Sequence, residues 1–301
     1  LTLEKIYRQA EDSTIVHLAN HIRQGYLPAD FREKKADRSY FEAQNEQIPA
    51  MVERIVSAAV NSGIPADQVQ ILAPMYRGLA GIDNLNKLTQ NLLNPLEKGE
   101  LEFPHNDQFF RQGDRVIHLV NDAESNVFNG DLGYISDLLP AKYSDSKQDE
   151  ITINFEGAEV TYPRNEWYKI TLAYAMSIHK SQGSEFQVVI LPITHSSQRM
   201  LQRNLIYTAI TRSKSKLILL GQLSAFDQAV KNAGTARKTY LVERFVPELT
   251  EAAPEEQPQA SQTSQQEESP NYILTKANLL TIDPMIGLKE EDIQEFFSTK
   301  K

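Results

Sequence analysis

Residues 170–193 read ITLAYAMSIHKSQGSEFQVVILPI. Two apolar runs, ITLAYAM (170–176) and FQVVILPI (186–193), flank SIHKSQGSEF (177–186). Apolar runs without alternation suit strands buried on both faces, as in a parallel sheet. The stretch between them carries three serines, a histidine, a lysine, a glutamine and a glutamate around one glycine. Taken alone, such a stretch reads as a polar loop joining two elements. Its hydroxyls, with His179 and Lys180, also have the chemistry to grip backbone phosphates. Gly183 suits close approach of the main chain to a ligand.

The α/β pattern extends in both directions. Downstream, the spacing predicts a strand at 187–193, a helix at 198–211 and a strand at 215–221, and 169–175 reads as the strand before the polar stretch. Upstream, STIVHLANHIRQG (13–25) has helical apolar spacing between Ser13 as N-cap and Gly25 as terminator. SYFEA (39–43) suits a short strand, 47–63 a second helix, QVQILAP (68–74) a buried strand, and GIDNLNKLTQNLLNP (81–95) a helix ended by Pro95. Between these halves the period changes. RVIHLV (115–120), GYISDLL (133–139), EITINFEG (150–157) and AEVTYP (158–163) are short and β-rich, with turn signals at Asn129-Gly130-Asp131 and Glu156-Gly157. The pattern predicts an α/β domain (1–106 plus 166–245) with a largely parallel sheet, interrupted by a small all-β insert (107–165). Within the insert and its edge, Phe109, Phe110, Phe128, Tyr134 and Trp167 are each a base-contact or a core residue, with core the commoner place for each. Residues 246–271 lack aromatics and are rich in Glu, Gln, Ser and Pro, which predicts a disordered acidic linker, and 272–301 form an apolar terminal segment.

The chain of 301 residues has no cysteine, which excludes disulfides and thiolate metal sites and fits a cytosolic protein. No apolar run is long enough for a membrane span, and no His/Asp/Glu cluster has metal-ligand spacing. The sequence begins LTLEKIYRQAED, without an initiator Met or a leader, which predicts a fragment of a longer protein. The net charge of −9 is unevenly spread: 11 of 40 acids but only 4 of 31 bases lie beyond residue 245. Within 177–216, six Lys or Arg face a single acid, Glu185. Such local charge steers a polyanion better than the total suggests.

No G-x-x-x-x-G-K-[ST] turn occurs, so the phosphate cradle of a P-loop nucleotide hydrolase is missing from these residues. Two arginines remain of interest. Arg212, in RNLIYTAITRSKSKLILLG (203–221), falls between a helix pattern and a strand, and Arg8, in IYRQAEDS, follows a strand-like start. Ends of strands in α/β sheets commonly face a ligand crevice. An arginine that reaches a transferring γ-phosphate stabilises its developing charge. For an arbitrary arginine, a surface salt bridge is the commoner role.

In order, YRQ (7–9), AYAMSIHKSQGSEF (173–186) and NLIYTAITRSKSKLILLG (204–221) resemble motifs IV, V and VI of superfamily 1 helicases, and most closely the RecD-like branch. LAPMYRGLAGIDNLNKLTQNLLNP (72–95), VFNGDLGYI (127–135) and the closing IDPMIG (282–287) are also similar to that branch. The resemblance implies a RecA-like domain without its own P-loop, interrupted by a Src-homology-3-like barrel. It further implies the C-terminal half of an ATP-dependent 5′–3′ DNA helicase of the RecD type (exodeoxyribonuclease V alpha-like). ATP with Mg²⁺ would be bound mainly by an upstream RecA-like domain. The implied γ-phosphate arginines are Arg8 and Arg212, and the implied nucleotide contacts are Gln182, Gly183 and Glu185. The implied DNA contacts are Ser177, His179, Lys180, Ser181, Tyr76 and Arg77. Position 177 is often Thr in the family; Ser here keeps the hydroxyl. Implied partners are single-stranded DNA, the upstream domain and other repair proteins, in a bacterial cytoplasm. The alternative is a non-catalytic module that binds single-stranded DNA or protein.

Overall fold

The computed structural model describes residues 13–234. The chain divides into Leu1–Gly234 and Thr235–Lys301, and the described residues all belong to the first unit. The acidic linker, the terminal segment and Arg8 lie outside the described residues.

The chain starts with helix α1 (Thr14–Gln24). The Ser13 hydroxyl accepts a hydrogen bond from Ile15 N, and Gly25 ends the helix at φ +96°, a conformation that favours glycine. Strand β1 (Arg38–Glu42), helix α2 (Ile48–Asn61), strand β2 (Val69–Ala73) and helix α3 (Ile82–Leu93) follow. The β-rich segment comprises β3 (Glu102–His105), β4 (Gln108–Arg111), β5 (Arg115–His118), β6 (Leu132–Leu139), β7 (Glu150–Phe155), β8 (Ala158–Pro163) and β9 (Ile170–Leu172). The α/β pattern then resumes with β10 (Ala175–Ser177), β11 (Phe186–Ile193), α4 (Arg203–Ile210), β12 (Ser213–Gly221) and α5 (Leu223–Lys231).

Five strands form a parallel sheet in the order β1-β12-β11-β2-β10. Residues of α1, α4 and α5 pack on one face, and α2 and α3 cover the other. That double cover explains the unbroken apolar runs: in β11 only Gln187 is exposed. Five other strands form an antiparallel sheet in the order β8-β7-β6-β5-β9, with β3-β4 as a separate hairpin. β6 and β7 alternate in burial, as strands with one wet face must, while β5 is buried throughout. No helix among the described residues is long and apolar enough to cross a membrane.

Three expectations need correction. The antiparallel strands reach past 107–165 at both ends, from Glu102 to Leu172. The strand expected at 169–175 is two strands in two different sheets: β9 pairs with β5, and β10 pairs with β2. Side chains satisfy the backbone where it changes sheets. Asn86 donates to Leu172 O and accepts from Ala175 N, while Gln70 donates to the carbonyls of Ala173 and Tyr174. Unpaired amides and carbonyls here would be buried and costly, so a break in an apolar run is possible only with such partners. The helix expected at 198–211 is a 3₁₀ turn (His195–Met200) and then α4, because Leu201 and Gln202 between them are extended.

Candidate functional site

β10 and β11 lie on either side of β2, both parallel to it, so the chain between them must return from the carboxyl edge of the sheet to the amino edge. Parallel strands are usually joined through a helix. Here the return is made by residues 178–185 alone, in a series of tight turns. Lys180 N donates to Ser177 O, Gln182 N to His179 O, and Ser184 N to Ser181 O. Ile178 and Phe186 anchor the crossover in the core shared with α1, α4 and α5. The polar stretch thereby touches both edges of the sheet.

At the carboxyl edge, Ser177 pairs in register with Ala73, the last residue of β2. The loop that follows β2 presents Tyr76 and Arg77, both exposed, on the same edge. Gly81 closes that loop; a Cβ there would lie 2.4 Å from Tyr76 O, so only glycine fits without movement. Arg77 faces Asp83, whose carboxyl is pushed above the usual range chiefly by burial. His179 is exposed. Lys180 is half-buried and its Nζ lies 3.3 Å from Asn129 Oδ1 on the β5–β6 loop, with burial lowering its pKa.

Ser181 does not match its expected role. Its side chain is fully buried and its hydroxyl donates to Ile178 O at 2.8 Å, so it holds the turn together and presents nothing to a phosphate. Gly183 is exposed at φ +93° with nothing within 4 Å of an added Cβ. Its requirement is therefore backbone conformation rather than close packing within this chain.

At the amino edge, Ser184 and Phe186 meet Arg212. Arg212 Nη1 lies 3.3 Å from Ser184 O, its Nε 3.2 Å from Thr208 O and its Nη2 3.4 Å from Thr211 Oγ1. Phe186 N donates to Arg212 O at 3.0 Å. Glu185 is 3.4 Å from Lys214 Nζ. The general rule for α/β sheets places the ligand crevice outside the carboxyl ends of strands. Arg212 precedes β12 and lies at the amino end, so that rule does not account for its position. The crossover that carries Ser184 and Glu185 does.

The aromatic residues divide. Phe110 and Trp167 are fully buried, as expected, whereas Phe109, Phe128 and Tyr134 are exposed. Two charged residues were invisible to sequence reasoning as anything but strand flanks. Asp114, fully buried, accepts from Gln90, Asn94, the Arg111 amide and the Tyr174 hydroxyl, joining α3 to the antiparallel sheet and to the chain between β9 and β10. Burial pushes its carboxyl up. Arg115 is 4% exposed and its Cζ lies 5.4 Å from the centre of the Phe186 ring.

Residues 172–220 match the UvrD-like helicase C-terminal domain, and residues 85–155 match the SH3 domain of ATP-dependent RecD-like DNA helicases. The chain belongs to the RecD-like helicases. Among curated RecD-like relatives, the ATP-dependent RecD2 DNA helicase of Deinococcus radiodurans is 32% identical over 247 residues, covering 81% of this chain and 32% of its own length. The RecBCD enzyme subunit RecD of Haemophilus influenzae is 26% identical, covering 67% of this chain and 27% of its own length. The chain thus spans about a third of the length of these relatives. A structure of Pif1 helicases at forked double-stranded DNA aligns at a TM-score of 0.46 and 19% identity, over 75% of this chain and 50% of that one. The RecD-like chain carries its two matched segments on the two sheets described above: 172–220 spans β10, β11, α4 and most of β12, and 85–155 runs from α3 through β7.

Proposed function

We propose that this chain is the C-terminal half of an ATP-dependent DNA helicase of the RecD type that moves 5′ to 3′ on single strands in a bacterial cytoplasm. The RecA-like portion (1–106 plus 166–245) and the Src-homology-3-like insert (107–165) would act with an upstream RecA-like domain of the same protein. The observation that carries the reading is the crossover at 178–185. It joins a carboxyl edge bearing Tyr76, Arg77, Ser177, His179 and Lys180 to an amino edge where Ser184 and Phe186 hydrogen-bond Arg212 and Glu185 pairs with Lys214. One short segment thereby connects a phosphate-gripping surface to an arginine poised for a nucleotide.

ATP, with Mg²⁺, supplies the hydrolysable γ-phosphate when it is bound between the two RecA-like domains. Arg212 is fit for that charge: its guanidinium is half-buried and oriented by two carbonyls and a hydroxyl, so it is held in place before a ligand arrives. Gln182, Gly183 and Glu185 complete the nucleotide side, and Arg8 is proposed as a second γ-phosphate arginine. On the DNA side, Ser177, His179, Lys180, Tyr76 and Arg77 contact the strand without reading its sequence, and Ser181 shapes the turn that presents them. Closure of the domains on ATP would shift the crossover and so the strand, a coupling by differential contacts.

The test uses the full-length protein. Arg212→Ala is expected to abolish DNA-stimulated ATP turnover while ATP binding persists. Turnover near the wild-type rate would make Arg212 a structural residue and remove the main support for the reading.

A further inference from the structure

Arg115 is physically unusual. It is 4% exposed, its Nη1 is buried, and no hydrogen bond or ion pair reaches its guanidinium among the described residues. An arginine does not shed its proton to escape burial, so an unpaired guanidinium in the interior is a standing cost to the fold. Its guanidinium lies over the face of Phe186, the residue that also hydrogen-bonds to Arg212 O, and Asp67 acts on it through space. A cation over a phenyl ring compensates only part of the lost hydration.

Arg115 and Phe186 form part of the wall of a groove of about 670 Å³ between the antiparallel sheet and the end of the crossover. The exposed Tyr134 stands on the antiparallel side, and Asp67, Glu156 and Glu185 also line the groove. A second depression shares Ser184 and Glu156 with it and extends to Gly130, the residue after the Asn129 that receives Lys180. The groove therefore continues from Arg115 towards the β5–β6 loop at Gly130.

The lining constrains the ligand. A phosphate would face Asp67 and Glu156 for one guanidinium, with Glu185 already paired to Lys214, and like charges at close range repel. A bare cation would face Arg115. What fits is a neutral planar group with a hydrogen-bond acceptor for the guanidinium, N–H donors for the carboxylates and a face for Tyr134. Nucleobases have this form, and guanine carries the most N–H donors on one edge, beside its O6 acceptor. We propose that this groove takes a nucleobase, guanine best, from a single strand. This deepens the single-strand reading above and rests on it for the source of the base.

The experiment measures binding of the full chain to an all-dT strand, to the same strand with one dG, and to free dGMP. The dG strand is expected to bind at least about fivefold tighter than all-dT, the low end of what a good base-edge contact gives. Arg115→Met is expected to erase that preference and leave all-dT affinity unchanged. Tyr134→Ala, at an exposed position, is expected to weaken the preference without a folding risk and decides the matter if Arg115→Met does not fold. Saturable dGMP binding lost in the same variants would equally support a base site and would assign it to a free nucleotide. Equal affinity for both strands with no dGMP binding overturns the inference, as does a preference that survives both variants. If all-dT itself fails to bind, the proposed function fails, and the dGMP arm still tests the groove by itself.

Discussion

The parallel sheet is sandwiched between helices, and its connections carry the polar chemistry, whereas the antiparallel sheet buries one face and presents its other face and its loops to solvent. In the first, nearly every strand residue is fixed by packing, so chemistry is confined to the edges: Ser177 to Lys180 at one, Ser184, Glu185 and Arg212 at the other. In the second, alternate residues are available along the strands themselves, and Tyr134 and Arg115 reach a groove from within the sheet. The two sheets exchange chain at 172–175, where Gln70, Asn86 and Tyr174 close the backbone and side-chain hydrogen bonds. The difference teaches that a RecA-like sheet supplies rigid edges, while the insert supplies a face that helps to form a groove against one of those edges.

The largest effect should come from the parallel sheet. Gly221, at φ +130°, would place a Cβ 1.9 Å from Ile193 O, against the backbone of the neighbouring strand. Gly221→Ala is expected to destabilise by on the order of 3–5 kcal/mol, read as a lowered urea midpoint. A midpoint close to wild type would mean that the sheet edge yields more easily than its packing implies.

The junction between the sheets comes next. Asp114→Ala strands the buried Tyr174 hydroxyl and removes one of the two hydrogen bonds of the Gln90 amide, and should cost about 2–4 kcal/mol by the same measurement. If the two sheets unfold in separate transitions in this variant, the junction is what couples them.

The antiparallel sheet should show acid sensitivity through His118. Its ring is fully buried between Phe155 and Tyr162. Burial holds its pKa below the usual value, against smaller opposite effects of the Val120 backbone, Asp122 and Asp131; nearby Lys169 lowers it further. A histidine with a depressed folded pKa binds fewer protons than the unfolded chain, so stability is present above the unfolded value of about 6.5 and is lost as pH falls through it. A progressive loss of stability as pH falls below about 6.5 is expected, with His118→Leu flattening the slope. An unchanged slope in that variant would assign the acid sensitivity to other groups.

The smallest effect is at Gly183. Like Gly221 it has positive φ, but an added Cβ meets nothing. Gly183→Ala should cost only about 1 kcal/mol in stability, which isolates the conformational penalty from the clash at Gly221. A loss as large as that of Gly221→Ala would show that the crossover tolerates no side chain at this position.

Much of the fold was legible in the sequence for a physical reason. Caps and periodicity are local, so Ser13, Gly25 and the apolar spacing of 13–25 specify a helix wherever it lies. The unbroken run FQVVILPI announces a strand covered on both faces, and the switch to short alternating segments marks the insert. The resemblance of 173–186 and 204–221 to helicase motifs gave the family. Arg8, the acidic linker and the terminal segment fall outside the described residues, so their roles rest on the sequence alone.

What the sequence did not contain is pairing. ITLAYAM is apolar throughout, and nothing in it says that Leu172 belongs to one sheet and Ala175 to another; that follows from Asn86 and Gln70, which reach the break from distant positions. A serine in a polar stretch looks available until the turn buries Ser181 against Ile178 O. Arg115 reads as one more charged residue at a strand start until the fold encloses it beside Phe186 without a partner. By itself, the sequence determined which segments are helix or strand and which family they resemble, because those signals are local. Only the tertiary structure decided which edge each polar group occupies and which charge is left uncompensated, because burial and hydrogen-bond partners are set by residues far away in the chain.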